Sequence, residues 1–432
     1  MRIRRFGHPD YSVIGYTVGM DVYAALARAS IGKTPLLPRI VDICWSKWTE
    51  VGCSYITLFL TPSIQKCSLD NRVDATIDGN SVTSVPLRFS LLPVLVSACP
   101  HMTHLSLSLY HDLGRSPWQE IVKALSAARQ WSSLQSLKLH GLPDTSTLCI
   151  AKFPFLRELR IDNIHEMGKG HLTMPVKGFT KLEDLNVTYA AIEFSLKLIS
   201  CMSQTPLQTL SLCFGRDLEA DQLSDLFMAM LCNISQSSLL HVVIDCDLNN
   251  TKLVEEERSL TLEAMSPLLA FTNLTSVFMA VHCEFHLNKE DLRIMTSSWP
   301  HLQTLELLSL GRPSEHRPRI SINDFTYCLG TCPSLVKLTI AFDASEVCLS
   351  SEKPGGGVCY EKIRTLGILY SPNPIDEPGK VAAFLSDIFP NLCFIRVFRP
   401  KASDVPYDFE QKWKEVEHLV KLFSLVRTQE TM

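Results

Sequence analysis

The sequence lacks the features that mark several large classes of protein. No stretch of about 18 apolar residues runs without polar interruption, so no membrane-spanning helix is predicted. The basic start, MRIRRFGHPDYSVIG, has no apolar segment behind it, so no secretory signal peptide is predicted either. The 41 Lys and Arg residues do not outnumber the 45 Asp and Glu residues. The charge therefore gives no sign of binding to nucleic acid or to a membrane surface.

Paired cysteine spacing is also missing. The chain has 15 cysteines, an odd number, scattered along its length. Such usage is typical of reduced thiols inside the cell, where disulfides are rare. We therefore expect a cytoplasmic or nuclear protein. Inward cysteines such as Cys67 should pack as small apolar side chains, and Cys328 and Cys332 should be buried thiols at the end of a repeat helix.

Motifs for catalysis or cofactor binding are scarce. The sequence has no G-x-S-x-G nucleophile elbow. Its one glycine run, Gly355–Gly357, lacks the following Lys and Ser/Thr of a phosphate-binding loop. His282, Cys283 and His286 have no second ligand pair nearby with zinc spacing, so a loop or strand edge is expected there. We predict no enzyme activity, no cofactor and no metal.

What the chain does contain is a recurring block, P-x-Φ-x-x-Φ-x-Φ, where Φ is apolar. It occurs as PHMTHLSL, PFLRELRI, PHLQTLEL, PSLVKLTI and PNLCFIRV, from Pro100, Pro154, Pro300, Pro333 and Pro390. Together with less regular copies it gives thirteen repeats of about 29 residues, at the long edge of leucine-rich repeats. The first apolar residues, here called anchors, are Ile40, Ile64, Met102, Leu134, Leu156, Leu182, Leu207, Leu239, Leu274, Leu302, Leu335, Ile363 and Leu392.

Each block predicts a short strand followed by a helical return. Its last two apolar residues lie two positions apart, so both point to one face of a strand. Apolar residues at helical spacing follow in several repeats, as at Leu223, Leu226 and Met230. One repeat cannot fold alone. Burying its three or four large side chains contributes roughly 1.5–3 kcal/mol each, and ordering the backbone of about 29 residues costs more than that total. We predict an α/β leucine-rich-repeat solenoid, with a curved parallel sheet on the concave side and helices and loops on the convex side.

The ends of the chain differ from its middle. Asp408 and Gln411 have the spacing of a capping box, and Phe409, Trp413 and Val416 begin an apolar stripe. This pattern predicts a C-terminal capping helix, and a partner-binding helix is the alternative. The predicted parts are an N-terminal partial repeat or cap (1–35), a solenoid of about thirteen irregular repeats (36–400) and a C-terminal capping helix (401–432).

Several stretches of the sequence carry a family resemblance. DVYAALARASIGKTPLLPRIVDICW from Asp21, ITLFLTPSIQKCSLD from Ile56, FPFLRELRI from Phe153 and FTYCLGTCPSLVKLTI from Phe325 resemble the large fungal family of F-box/leucine-rich-repeat proteins. The resemblance covers nearly the whole chain. It implies the substrate receptor of an SCF-type ubiquitin ligase, in which an F-box docks a Skp-type adaptor and the repeats hold a client. No F-box-like segment is seen, so we expect it either to be lost or to lie upstream of Met1.

The predicted function is a non-catalytic protein-binding module, resembling the substrate-recognition part of such a receptor. One alternative is a free-standing interaction or scaffold protein, or a degenerate family copy, without adaptor docking. Another is an enzyme regulator of the GTPase-activating type. The expected partners are protein clients on the concave face, with a Skp-type adaptor and cullin complex if an F-box exists upstream. A monomer is expected.

The concave face supplies the candidate binding residues. Positions two, four and six residues after each anchor should face solvent. They are polar in the middle of the chain, as at Glu158, Arg160 and Asp184, and become apolar toward the C-terminus. Exposed aromatic side chains beside arginine are typical of interface hot spots, and the alternative is that loops or the C-terminal helix cover them. The predicted partner-binding residues are Phe278, Glu306, Leu308, Lys337, Leu369, Phe394, Arg396 and Phe398.

Overall fold

The computed structural model divides into two units. Unit 1 comprises Met1–Ala190 and Ser200–Thr205, and unit 2 comprises Ala191–Ile199 and Pro206–Met432. The predicted domain bounds stay predictions. The residues that the structure describes are 4–6, 20–29, 35–45, 54–69, 86–108, 131–143, 150–165, 177–246, 259–311, 317–349, 356–369, 375, 377–398 and 407–430.

Unit 1 holds a parallel sheet whose strands pair in chain order. The sheet follows the predicted blocks, and one further short strand precedes the first block. Its strands, within the described ranges, are β1 Arg5–Phe6, β2 Asp42–Trp45, β3 Lys66–Leu69, β4 His104–Ser108, β5 Ser136–Pro143, β6 Glu158–His165 and β7 Asp184–Ala190.

In unit 2, the residues that the structure describes form seven further strands that pair in the same parallel way. A separate two-stranded parallel sheet joins β10 Ser259–Leu260 to β12 Glu284–Phe285. The strands of the main sheet, in pairing order, are β8 Thr209–Phe214, β9 His241–Cys246, β11 Ser276–Val281, β13 Thr304–Ser309, β14 Lys337–Ile340, β15 Thr365–Leu369 and β16 Phe394–Phe398.

Helices or short turns lie between many of these strands. Within the described ranges, 3-10 turns occur at Ile56–Leu58, Ser266–Ala270 and Ile322–Asp324. The α-helices of the described residues are α1 Met20–Ala29, α2 Pro86–Ala98, α3 Ile192–Ser200, α4 Ala220–Asn233, α5 Leu262–Met265, α6 Lys289–Ser298, α7 Phe325–Cys328, α8 Pro378–Ile388 and α9 Tyr407–Glu430.

The predicted strand ladder is confirmed. Each of the thirteen anchors lies two residues before the first residue of a strand, and each is at most 5% exposed. The inward strand residues, such as Leu305 and Leu307 in β13, extend the buried row. Burying such a side chain contributes about 1.5–3 kcal/mol, and the contribution recurs at every repeat. The fold is an α/β leucine-rich-repeat fold.

Within each unit, backbone hydrogen bonds join successive repeats at one recurring point. The carbonyl of the residue after an anchor accepts two N–H groups from the following repeat. In unit 1 the Gln65 carbonyl accepts from Thr103 at 2.8 Å and His104 at 3.0 Å. In unit 2 the Thr275 carbonyl accepts from Gln303 at 2.8 Å and Thr304 at 3.1 Å. This pairing fixes the register that places outward side chains in rows.

The helical elements follow their sequence signals closely. Ser321 and Asp324, whose spacing predicts the start of a helix, form a capping box in which Ser321 N donates to Asp324 Oδ2 at 2.8 Å, and a 3-10 turn and α7 follow. The predicted stripe Leu223, Leu226 and Met230 is buried in α4. The sequence Ser116-Pro117-Trp118-Gln119 also predicts a helix start, with an N-cap serine, a first-turn proline and a capping-box glutamine, but it lies outside the described residues.

The C-terminal helix α9 packs against α8 and β16. Its stripe Phe409, Trp413, Val416 and Val420 is buried, and the Trp413 ring meets the Phe342 ring edge-on at 6.1 Å. The helix begins at Tyr407, so Asp408 lies in its first turn and not at the capping position as predicted. A carboxylate in the first turn still interacts favourably with the helix dipole.

Candidate protein-binding surface

The eight predicted residues of unit 2 share one face of the sheet. They occupy the first, third or fifth position of their strands, so they point away from the inward ladder. We call this side the outward face. Register places Phe278 beside Glu306 and Leu369 beside Phe398 on neighbouring strands. The two-residue period of a strand therefore predicted correctly that these eight side chains lie on one side of the sheet.

Two of these residues are not exposed, contrary to the prediction. Glu306 is 6% exposed and Leu308 is 5% exposed. Outward side chains on strands about 4.8 Å apart shield one another, so a large residue in the middle of the sheet loses much of its contact with water. Lys337 Nζ lies 2.6 Å from Glu306 Oε2 and supplies the opposite charge. Glu306 therefore has a partner within its own sheet.

A glycine shapes the face next to this ion pair. Thr339 is fully buried between Glu306 and Gly367 in the register of the sheet. A Cβ atom added at Gly367 would lie 2.1 Å from Thr339 Oγ1, so the threonine side chain occupies the space above the glycine. A glycine inside a strand often marks a place where a neighbouring group comes close to the backbone. Gly367 was therefore a sequence indication of this contact, and it was not among the predicted site residues.

The two exposed residues of the predicted surface both lie on β16, next to β15. Phe394 is 56% exposed and Arg396 is exposed. Phe398 and Leu369 are half-buried beside each other. Arg396 neighbours Gly367, which has no side chain to screen it. The result is an aromatic and aliphatic surface with one guanidinium in its middle.

Unit 1 carries a different feature on its outward face, an open groove of about 300 Å³ across β2–β6. Short polar side chains form much of its lining, and charged ones surround them. The sequence analysis noted polar positions in this region but did not predict a groove. The lining residues are Asp42, Lys66, Cys67, Ser68, His104, Leu105, Ser106, Ser136, Lys138, Glu158 and Arg160.

A buried carboxylate organises the charges at one end of this groove. Asp162 is only 8% exposed, yet it follows Arg160 by two positions on β6. Arg160 Nε donates to its Oδ1 at 3.2 Å, Thr188 Oγ1 donates to the same oxygen at 2.8 Å, and Lys138 Nζ lies 3.9 Å from its Oδ2. Asp162 thus holds two cationic side chains in place.

The imidazole of His104 lies near the centre of the groove. Its Nδ1 is 2.8 Å from Thr103 Oγ1. Partial burial and the nearby charge of Lys66 lower the pKa of His104, and Glu158 and Asp42 act in the opposite direction. The ring is therefore mostly neutral near pH 7.

The candidate metal residues of the sequence do not converge on one point. His282 Nε2 lies 3.3 Å from Asp217 Oδ1, and His286 Nε2 lies 3.1 Å from Glu284 Oε2. The segment includes strand β12, as the strand-edge interpretation expected. Across the described ranges, no group of three or more His, Cys, Asp or Glu side chains could hold a metal ion.

The two cysteines at the end of a repeat helix are buried. Burial raises the pKa of Cys328 to about 11 and that of Cys332 to about 12. Both thiols donate to backbone carbonyls, as Cys332 Sγ does to Trp299 at 3.1 Å.

None of the helices in the described ranges combines the length and apolarity needed to cross a bilayer.

A ladder of short parallel strands with helices between them defines a leucine-rich-repeat protein. No family profile matches the chain, and no curated protein matches it. Among solved structures, it is similar to the yeast Rad7–Elc1 complex, with 14% identity, a TM-score of 0.37 and coverage of 90% of this chain and 87% of the other. It is also similar to an internalin from Listeria monocytogenes, with 13% identity, a TM-score of 0.42 and coverage of 88% and 91%.

A third similar structure is LegL7 from Legionella pneumophila, a leucine-rich-repeat-containing protein. It has 16% identity, a TM-score of 0.31 and coverage of 78% of this chain and 96% of the other. Identities and TM-scores this low support no statement about function. The fold class rests on the strands of the chain itself.

Proposed function

We propose that the chain is a non-catalytic protein-binding module whose partner contacts the outward face of unit 2 at β15 and β16. The observation that carries the proposal is the exposure of Phe394, 56%, on a strand that also presents Arg396 and Phe398. Aromatic and arginine side chains dominate the binding energy of protein interfaces. A strand presents them rigidly, which lowers the entropy lost on binding.

Burial separates the predicted residues into contacts and supports. We propose Leu369, Phe394, Arg396 and Phe398 as direct contacts, with the half-buried Phe278 and Lys337 at their edge. Glu306 and Leu308 support the surface from within, because they are already covered in the free protein. The ion pair to Glu306 keeps the Lys337 ammonium close to the face of the sheet.

The resemblance to fungal F-box/leucine-rich-repeat proteins supports a more specific proposal. The module would be the client-recognition part of an SCF-type receptor inside the cell, with any catalysis carried out by its partners. The alternative is a free-standing interaction protein without adaptor docking. Pull-down of the full-length protein with a Skp-type adaptor separates the two, because only the receptor retains the adaptor.

The binding surface is tested by photo-crosslinking and by substitution. A photoreactive phenylalanine analogue at position 394 should crosslink a discrete partner in cell lysate. The same analogue at Tyr327, which is 81% exposed on α7, provides a control at another exposed aromatic position. The double change Phe394→Ser and Phe398→Ser should weaken capture of that partner by about tenfold or more.

Two further variants complete this test. Tyr327→Ser, and the pair Asp184→Ala with Asn186→Ala in β7, should leave capture within about twofold of the wild type, since surface changes outside an interface cost little. Equal losses in all three variants, with unfolding midpoints unchanged, would contradict the assignment of the surface to β15 and β16.

A further inference from the structure

The groove of unit 1 has an ordered arrangement of side chains. In the register of β3, β4 and β5, six outward positions form two rows of three. One row contains Lys66, His104 and Ser136, and the other contains Ser68, Ser106 and Lys138. The two lysines therefore stand at opposite corners, and short side chains and one imidazole fill the positions between them.

Several polar groups in the groove have unused hydrogen-bonding capacity. Within the part of the chain that the structure describes, the hydroxyls of Ser106 and Ser136 have no hydrogen-bond partner, and Lys66 forms no ion pair. Arg160 uses only its Nε toward Asp162, which leaves the Nη donors of the guanidinium available. These groups would otherwise be satisfied by water, so a ligand can replace the water without breaking a protein hydrogen bond.

The charge of the lining favours an anionic occupant. Three cations, Lys66, Lys138 and Arg160, face two carboxylates, Asp42 and Glu158. Asp42 is already engaged, since Arg5 Nε lies 3.6 Å from its Oδ2. Glu158 remains as an acid at the edge, where it opposes a negatively charged ligand.

Asp162 partly orders the cationic end of the groove. It is buried, it accepts a hydrogen bond from Arg160 Nε at 3.2 Å, and its Oδ2 lies 3.9 Å from Lys138 Nζ, while both cationic side chains stay partly exposed. Cations held in place before binding lose less side-chain entropy when a ligand arrives. Asp162 also lowers the net charge here, so we expect weak binding that salt suppresses.

We propose that this groove binds an acidic segment of a partner polypeptide, with Asp or Glu side chains placed against Lys66 at one end and Lys138 and Arg160 at the other. Carboxylate oxygens accept hydrogen bonds from ammonium, guanidinium and hydroxyl donors, and such charge-assisted bonds are the strong ones. The groove crosses five strands, roughly 19 Å, which an extended chain spans with about six residues. The inference stands on unit 1 alone and does not require the surface of unit 2 to bind anything.

Fluorescence anisotropy with the full-length chain tests the proposal. The probe is a dye-labelled hexapeptide amide, Gly-Glu-Gly-Glu-Gly-Glu, measured beside the same peptide with Gln at every Glu position. The Glu peptide should bind at least about tenfold more tightly than the Gln peptide, and added salt should remove most of the difference. Lys66→Gln and Lys138→Gln should each weaken binding by about three- to tenfold.

Two variants distinguish this result from a general loss of structure. Lys152→Gln removes an exposed lysine of unit 1 that does not line the groove, and should leave binding unchanged. Glu158→Gln removes the opposing acid and should strengthen binding by about two- to fivefold, an effect that unfolding cannot produce.

Three outcomes would overturn the proposal. The first is equal binding of the Glu and Gln peptides. The second is binding of the Glu peptide that Lys66→Gln, Lys138→Gln and Glu158→Gln leave unchanged. The third comes from a peptide with phosphoserine at the Glu positions: if it binds through Lys66 and Lys138 while the Glu peptide does not bind at all, the groove recognises phosphate and not acidic side chains.

Discussion

The outward faces of the two units differ, although their inward ladders obey one rule. In unit 1 the third strand position carries Ser68, Ser106, Lys138 and Arg160, and the face is open enough to form a groove. In unit 2 the same position carries Phe278, Glu306, Thr339 and Gly367, and the glutamate and threonine are buried. The serines of β3 and β4 leave room above the sheet for a ligand, whereas in unit 2 the Thr339 side chain fills the space above Gly367.

This difference shows which residues of a repeat are constrained by folding. The anchors and inward residues must be apolar in every repeat, because neighbouring repeats share one core. The outward positions carry no such requirement, so their composition can change along the chain. Stability is accordingly expected to depend most on the inward residues, and on an outward residue only where that residue is covered or its pKa is shifted. Three measurements test this order.

The largest loss of stability is expected from substitutions of the buried anchors, which both units have in common. Leu134→Ala in unit 1 and Leu302→Ala in unit 2 each remove a fully packed anchor, 1% and 0% exposed. Each should lower the free energy of unfolding by about 2–5 kcal/mol, measured by urea denaturation. Leu425→Ala, at a position 62% exposed on α9, is the control and should change it by less than about 0.5 kcal/mol. If either substitution left the free energy of unfolding unchanged, the claim that the anchors stabilise both units in the same way would be contradicted.

A smaller loss of unfolding free energy is expected when a lysine is removed from the outward face, and its size should differ between the two units. The ion pair of unit 2 is buried, whereas that of unit 1 is partly exposed. Lys337→Met leaves the Glu306 side chain, 8% exposed, without a counter-charge, and should cost about 2–4 kcal/mol of unfolding free energy. Lys138→Met removes a lysine that is 43% exposed and 3.9 Å from its partner, and should cost less than about 1 kcal/mol. Adding Glu306→Met to Lys337→Met should recover part of the loss. Equal costs at the two lysines would contradict the distinction.

The smallest effect concerns pH and unit 1. Because the pKa of His104 is lowered in the folded chain, the unfolded chain binds more protons just below the ordinary value of about 6.5. Stability should therefore be fully present above that value and fall as pH decreases toward the depressed pKa. His104→Gln should reduce the loss of unfolding free energy between about pH 7.5 and 5.5.

His241→Gln provides the matched control for this measurement. His241 occupies the same first strand position in unit 2, is exposed, and has the same kind of threonine neighbour, with Thr275 Oγ1 3.3 Å from its Nδ1. If both substitutions changed the pH dependence equally, the groove environment of His104 would not be the cause.

The sequence predicted the fold in detail and the candidate surface in part. The anchors and the thirteen strands that begin two residues after them followed from the apolar spacing, because that spacing is set by contacts between successive repeats. The short pair β10 and β12 has no such spacing and was not predicted. The outward direction of Phe394 and Arg396 followed from the two-residue period of a strand. The burial of Leu308 could not be predicted, because it depends on side chains from neighbouring strands that are about thirty residues away in the chain.

The sequence alone determined the repeat, its strand positions and the alternation of inward and outward residues, since all three are periodic and local. Only the tertiary structure decided which outward residues remain accessible. The unit 1 groove exists because short side chains from three successive strands lie side by side, and the covering of Glu306 and Thr339 depends on what occupies the adjacent strands. Accessibility is a property of neighbours brought together by stacking, and no single repeat contains that information.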